Sequence, residues 1–131
     1  MRHAKAAAAA IALGLAAGGC SSAVAPNPLP ELVIMPIHIN RVDVQILESV
    51  PPRASAHVEG VIGDGCAELN SERQVRFGNT VTITILSQRP RKAICGQTAK
   101  FYRKDIPLEG TFPPGDWLLR VNGVDYPFVT Q

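Results

Sequence analysis

Three groupings of side chains in this sequence have types and spacing suited to chemistry. Ser55, His57 and Asp64 carry the hydroxyl, imidazole and carboxylate of a nucleophilic hydrolase, in which the imidazole takes the hydroxyl proton. No Gly-x-Ser-x-Gly elbow surrounds Ser55, and on a strand Ser55 and His57 share a face simply as outward polar positions, so solvated strand residues are expected. Met35, His38 and His57 offer a thioether and two imidazoles, a donor set suited to copper. Met35 stands beside Pro36, however, where hydrophobic packing accounts for it. Arg89, Arg91, Lys92, Lys100, Arg103 and Lys104 form a run of positive charge with no acid before Asp105. Such a run makes either a fixed patch for an acidic partner, a glycan or anionic headgroups, or a solvated segment that keeps a sheet edge from pairing with neighbours. No catalytic residue, metal or cofactor is expected from these groupings.

The three cysteines take their meaning from the start of the chain. Arg2 and Lys5 precede an alanine-rich apolar run from Ala6 to Ala17, then Gly18 and Gly19, then Cys20 and two serines. A basic start, a short apolar stretch and small residues before a cut are the marks of a secretory signal, and the run is too short to span a bilayer. With Cys20 in place, residues 1–19 resemble a bacterial lipoprotein signal peptide. The resemblance implies cleavage before Cys20 and lipidation of its thiol, giving a membrane-anchored protein of the cell envelope, periplasmic or at the outer surface. The rival is an ordinary signal peptide cut after Ala23 or Ala25. With Cys20 acylated in an exported protein, Cys66 and Cys95 are left as an even pair, and a disulfide is the default. It would close a loop of about 30 residues and contribute roughly 3–4 kcal/mol in the chain-entropy model. Zinc is the alternative, with His38 and His57 completing the set, although no Cys-x-x-Cys pair is present.

Processing also changes the charge. The formal +2 of the whole chain includes Arg2 and Lys5; without them eleven basic residues face eleven acidic ones. A neutral protein is a poor general nucleic-acid binder, so no nucleic-acid partner is expected.

Elements that would position these groups follow from alternation. Residues 20–36 contain Pro26, Pro28 and Pro30 and are expected to be a lipidated, proline-rich tether, with the folded domain at 37–131. Ile37 and Ile39, then after a change of parity Val42, Val44 and Ile46, predict a strand with a bulge near Arg41. Ala54, Ala56 and Val58 predict a second strand, and a less regular one runs from about Cys66 to Phe77. Val81, Ile83 and Ile85 against Thr80, Thr82 and Thr84 predict the firmest strand of all. Residues 88–100 read as a polar connection and 101–108 as a strand ending at Pro107. Trp117, Leu119 and Val121 lead through Asn122–Gly123 into Val124, Tyr126 and Phe128, a strong hairpin signal with Trp117 in the core. About seven strands without a helical period predict an all-β, antiparallel β-sandwich after the cleaved signal.

Gly65, Cys66, Arg76, Asn79, Thr80, the run 81–85, Pro90, Ala93, Cys95, Phe101, residues 106–108, Gly115 and residues 121–123 form a spaced pattern. It resembles an uncharacterised family of exported bacterial proteins and lipoproteins with a small disulfide-containing, immunoglobulin-like sandwich. That resemblance implies fold and export and brings no catalytic residue with it. The functional expectation is a non-enzymatic, lipid-anchored module that binds a protein or envelope polymer. The alternatives are an accessory subunit of an envelope complex and a periplasmic metal-binding protein.

Overall fold

A computed structural model describes Gly19 and residues 23–131; the signal peptide expected at 1–19, apart from Gly19, and the lipid site Cys20 lie outside the described residues. Eight strands form in chain order: β1 (Leu32–Pro36), β2 (His38–Leu47), β3 (Arg53–Gly63), β4 (Glu68–Phe77), β5 (Thr80–Pro90), β6 (Lys100–Pro107), β7 (Gly115–Val121) and β8 (Val124–Thr130). They make the expected sandwich, with β1, β4, β5, β7 and β8 in one sheet and β2-β3-β6 in the other.

Alternation decides which faces meet. Val81, Ile83 and Ile85 of β5 and Leu119 and Val121 of β7 are fully buried against Ala56 and Val58 of β3, with Tyr102 and Ile106 of β6 beside them. Fully burying one such aliphatic side chain contributes about 1.5–3 kcal/mol. Small alanines on β3 let the sheets approach, and the loop before β7 drops Phe112 into the remaining space. Its ring meets Trp117 edge-on at 5.0 Å and Phe128 at 5.7 Å. Trp117 is 9% exposed, and its Nε1 donates to the carbonyl of Pro113 and to Thr130 Oγ1, so the core tryptophan keeps its polar atom satisfied.

Three details depart from expectation. β1 lies inside residues 20–36, where only a tether was expected; its Leu-Val-Ile-Met run pairs antiparallel with residues 86–90 of β5. For the same reason β5 runs on to Pro90 instead of ending before Gln88. Prolines bounded both segments in the sequence, but Pro36 and Pro90 sit at strand ends, where a missing N–H is tolerated. The sheet is also not wholly antiparallel, since residues 80–83 of β5 pair parallel with 118–121 of β7. β1 and β7 thus lie end to end along one side of β5, while β4 takes the other.

The bulge expected near Arg41 is present, with the register of β2 against β3 shifting between Ile39 and Arg41. Cys66 and Cys95 are joined by a disulfide with Cα atoms 5.5 Å apart. The Asp64 carboxylate accepts from the Cys66 N–H at 3.0 Å, and the Gly65 N–H donates to the Gly96 carbonyl, so the bridge holds the 91–99 connection against the β3–β4 turn.

Candidate functional surface

The outer face of the three-stranded sheet gathers more polar chemistry than any sequence motif suggested. Strand order and register place Arg41, Glu59 and Arg103 in one cross-strand row, and Asp43, His57 and Asp105 in the next. The signs alternate along and between the rows. Arg41 Nε lies 2.6 Å from Asp43 Oδ2, Arg103 Nε 3.0 Å from Glu59 Oε1, and the two His57 nitrogens lie 2.6 Å from Asp105 Oδ1 and 3.2 Å from Glu59 Oε1. Hydrogen bonding to Asp105 and then to Glu59 raises the His57 pKa above 6.5, and the bond from His57 lowers that of Glu59. The protonated imidazole donates from both nitrogens.

Beside these rows is a cavity of about 440 Å³ lined by Asn40, Glu59, Gly60, Phe101, Tyr102 and Arg103. Asn40 is the extra residue of the β2 bulge, which turns its exposed side chain toward this face. The bulge also brings the His38 carbonyl so close to Gly60 that a Cβ there would collide with it, which explains the glycine in β3. Phe101, in register with Val61, is 74% exposed at the edge of the hollow. Tyr102 points the other way: its hydroxyl donates to Glu72 Oε2 at 2.6 Å, and Lys104 Nζ reaches the same carboxylate at 2.9 Å, closing the sandwich edge between β6 and β4. Burial first, and then the carboxylate, raise the phenol pKa, so Tyr102 stays protonated as a donor.

The residues singled out by type are mostly kept apart. Asp64 does not join Ser55 and His57; it binds Arg89 Nη2 at 3.1 Å and caps the turn at Cys66. Both His57 nitrogens are held by carboxylates, leaving no free lone pair to accept a proton from Ser55. Met35 lies on β1 in the other sheet from His38 and His57. Among the described residues the one group of metal-ligand types whose donor atoms converge on a single point is Asp64 with Cys66 and Cys95, and the sulfurs there are bonded to each other.

The six cations divide between two strands that approach one another at the β3–β4 turn, where Arg89 binds Asp64 and Lys100 lies in register with Gly63. Arg89, Arg91 and Lys92 stand at the end of β5 and just beyond it, whereas Lys100, Arg103 and Lys104 belong to β6 in the opposite sheet. Arg89, Arg91, Arg103 and Lys104 pair with Asp64, Glu31, Glu59 and Glu72; Lys92 and Lys100 have no ion pair among the described residues. Sequence reasoning missed Asn40, Phe101 and Asp105 as surface-forming residues. Period two marked some of them as outward, but their meeting depends on strand order and on the bulge.

Two packed sheets bearing a polar hollow on one outer face define a small β-sandwich domain. The chain belongs to the ORF11 beta-sandwich domain family, which its residues 56–130 match, taking in most of β3 and all of β4 to β8. It is similar to an uncharacterised 10.2 kDa protein in the HgiCIIM 5′ region of Herpetosiphon aurantiacus, at 34% identity over 86 residues, which covers 66% of this chain and 92% of the relative. Two further uncharacterised 10.2 kDa proteins of that organism, in the HgiBIM and HgiEIM 5′ regions, are each 32% identical over 76 residues, covering 58% of this chain and 93% of theirs. No solved structure matches.

Proposed function

We propose that this protein is an exported, lipid-anchored binding module that holds an envelope partner on the outer face of its three-stranded sheet without covalent chemistry. The observation that carries the reading is the hollow beside Phe101, where an exposed ring, a bulge carboxamide and a charged row meet on three paired strands. Strands hold such groups more rigidly than loops, which reduces the entropy lost on binding. The Cys66–Cys95 bridge suits an oxidising compartment, as export through the 1–19 signal requires. Lipid on Cys20 would then confine binding to partners within reach of the membrane.

Two measurements test the two halves. Radioactive palmitate should label the wild-type chain and not Cys20→Ala; equal labelling removes the anchor. A photoreactive residue placed at position 101 in native membranes should crosslink to an envelope component, whereas one at Thr82, on the opposite outer face, should not. Equal capture from both positions removes the assigned face.

An accessory subunit of an envelope complex is the second reading, and one observation favours it. The outer face of the five-stranded sheet carries Phe77, Thr80, Leu118 and Pro127 in a cross-strand row, apolar but for Thr80 and flanked by Val75 and Val129, with Phe77 87% and Val129 62% exposed. An apolar row of this kind suits a protein surface better than water. On this reading the Thr82 position crosslinks to one dominant protein and position 101 does not.

A further inference from the structure

We propose that the hollow formed by Asn40, Glu59, Phe101 and Arg103 is a carbohydrate-binding site that takes a neutral saccharide unit of a longer glycan. The proposal rests on the reading of this sheet face as the binding surface, and adds the chemical class of the ligand.

The free hydrogen-bonding capacity of the site carries the argument. Glu59 uses Oε1 for His57 and Arg103, and its Oε2 has no hydrogen-bond partner among the described residues. Arg103 uses Nε for that pair, which leaves its Nη groups to donate. The Asn40 carboxamide likewise has no partner among the described residues and can both donate and accept. A ligand filling the hollow must therefore present donors and acceptors close together. Sugar hydroxyls do both at once, and neighbouring hydroxyls can share one carboxylate oxygen and one guanidinium.

Phe101 supplies the apolar half of the contact. Its exposed ring stands beside these polar groups, and the C–H face of a pyranose can lie against such a ring while its hydroxyls turn to Asn40, Glu59 and Arg103. A wholly apolar ligand would leave the carboxylate and guanidinium desolvated without partners, a costly arrangement.

Charge argues for a neutral ligand. At the hollow Arg103 is matched by Glu59, and Arg41 beside it by Asp43, so the guanidinium and carboxylate charges pair off and favour neither an anion nor a cation. The volume of about 440 Å³ falls within the roughly 300–1,000 Å³ of small-ligand sites, and the hollow is open to solvent at the surface of the sheet beside the edge strand β6, which leaves room for a chain to continue beyond the bound unit.

The test is titration of the full-length, isotope-labelled protein in detergent with chitotetraose and with cellotetraose, followed by amide and side-chain resonances. Saturable shifts at Asn40, Glu59–Gly60 and Phe101–Arg103 are expected with at least one tetrasaccharide. Phe101→Ala and Asn40→Ala should each weaken binding by about tenfold. Both side chains are exposed, so the variants should keep the wild-type pattern of buried methyl resonances and melting midpoint. Shifts elsewhere on the surface, saturation by neither sugar, or unchanged affinity in both variants overturns the proposal. Capture of a protein from position 101 together with unchanged spectra in both sugars overturns the saccharide while sparing the binding face. Failure of both measurements removes the face as well.

Discussion

The side chain of Asn122 hydrogen-bonds both backbone groups of Ile85, as a neighbouring strand would. Its Oδ1 accepts from the Ile85 N–H at 2.8 Å, and its Nδ2 donates to the carbonyls of Ile85 and Ile37, each at 3.0 Å. β7 ends at Val121 and β1 at Pro36, both alongside β5; the Ile85 carbonyl also accepts from the Ile37 N–H at 3.1 Å, but without this carboxamide the Ile85 N–H would face the gap between them. Asn122 also holds φ at 46°, as the β7–β8 turn requires.

Asn122→Gly preserves the turn geometry and removes the carboxamide. We expect a loss of about 2–3 kcal/mol, since part-buried backbone groups of Ile85 and Ile37 lose partners. Urea unfolding measures it; a change below about 0.5 kcal/mol would mean that water replaces the side chain at no cost.

Arg76 lies over two rings of the core, with Cζ 4.5 Å from the centre of Phe112 and 4.6 Å from that of Trp117, while Nη1 and Nη2 donate to the carbonyls of Glu109 and Thr111. It therefore holds the loop that inserts Phe112. Arg76→Lys keeps the charge but loses the planar two-carbonyl clasp. The expected cost is about 1–3 kcal/mol by thermal or denaturant unfolding. Gly110→Ala should destabilise through the same loop, because φ is +83° there and a Cβ would meet Arg76 Nη1 at 2.5 Å. Phe112→Ala, emptying a fully buried site, should cost about 3–5 kcal/mol. Equal stability of Arg76→Lys and wild type would show that the clasp is incidental.

Mass analysis without reductant should recover the peptides of Cys66 and Cys95 linked. The double variant Cys66→Ser/Cys95→Ser should lose roughly 3–4 kcal/mol, the chain-entropy value for a loop of about 30 residues. Two free thiols in the protein isolated without reductant would contradict the bridge.

The outer charge rows give a pH signature. His57 has a raised pKa in the folded state, so its stabilising contribution is complete below 6.5 and is lost as pH rises through the folded value. Glu59, lowered from 4.5, contributes above that value and loses its contribution as pH falls through its own folded pKa. Between about pH 4.5 and 6.5 both act together. The stability difference between wild type and His57→Gln should be largest in that window and shrink above it. Proton NMR should place the imidazole midpoint above 6.5, and Asp105→Asn should bring it down. A flat difference from pH 5 to pH 9 would rule out this coupling.

Much of the sandwich was legible before folding, and the reason is local. Val81-x-Ile83-x-Ile85 and Trp117-x-Leu119-x-Val121 can bury one face only as strands, and Asn122–Gly123 can join two strands only tightly. The bulge near Arg41 was visible as a change of parity. β1 escaped notice because the prolines around it read as a tether, and nothing local tells a four-residue apolar run that it will find half of β5 unoccupied. The surface was less legible still. His57 was conspicuous as a type, yet its partner Asp105 is 48 residues away, and the long basic run divides between the end of β5 and β6, with most of its members matched by carboxylates from other elements.

Most strand positions, the inward faces and the hairpin therefore rest on short-range physics: side chains alternate every two residues, and turns have few permitted conformations. Which strands lie side by side is a long-range choice, made when two sheets bury their apolar faces together. That choice alone put Asn122 into the gap along β5, ran β7 parallel to it, aligned His57 with Asp105, and set the Asn40 bulge beside Phe101.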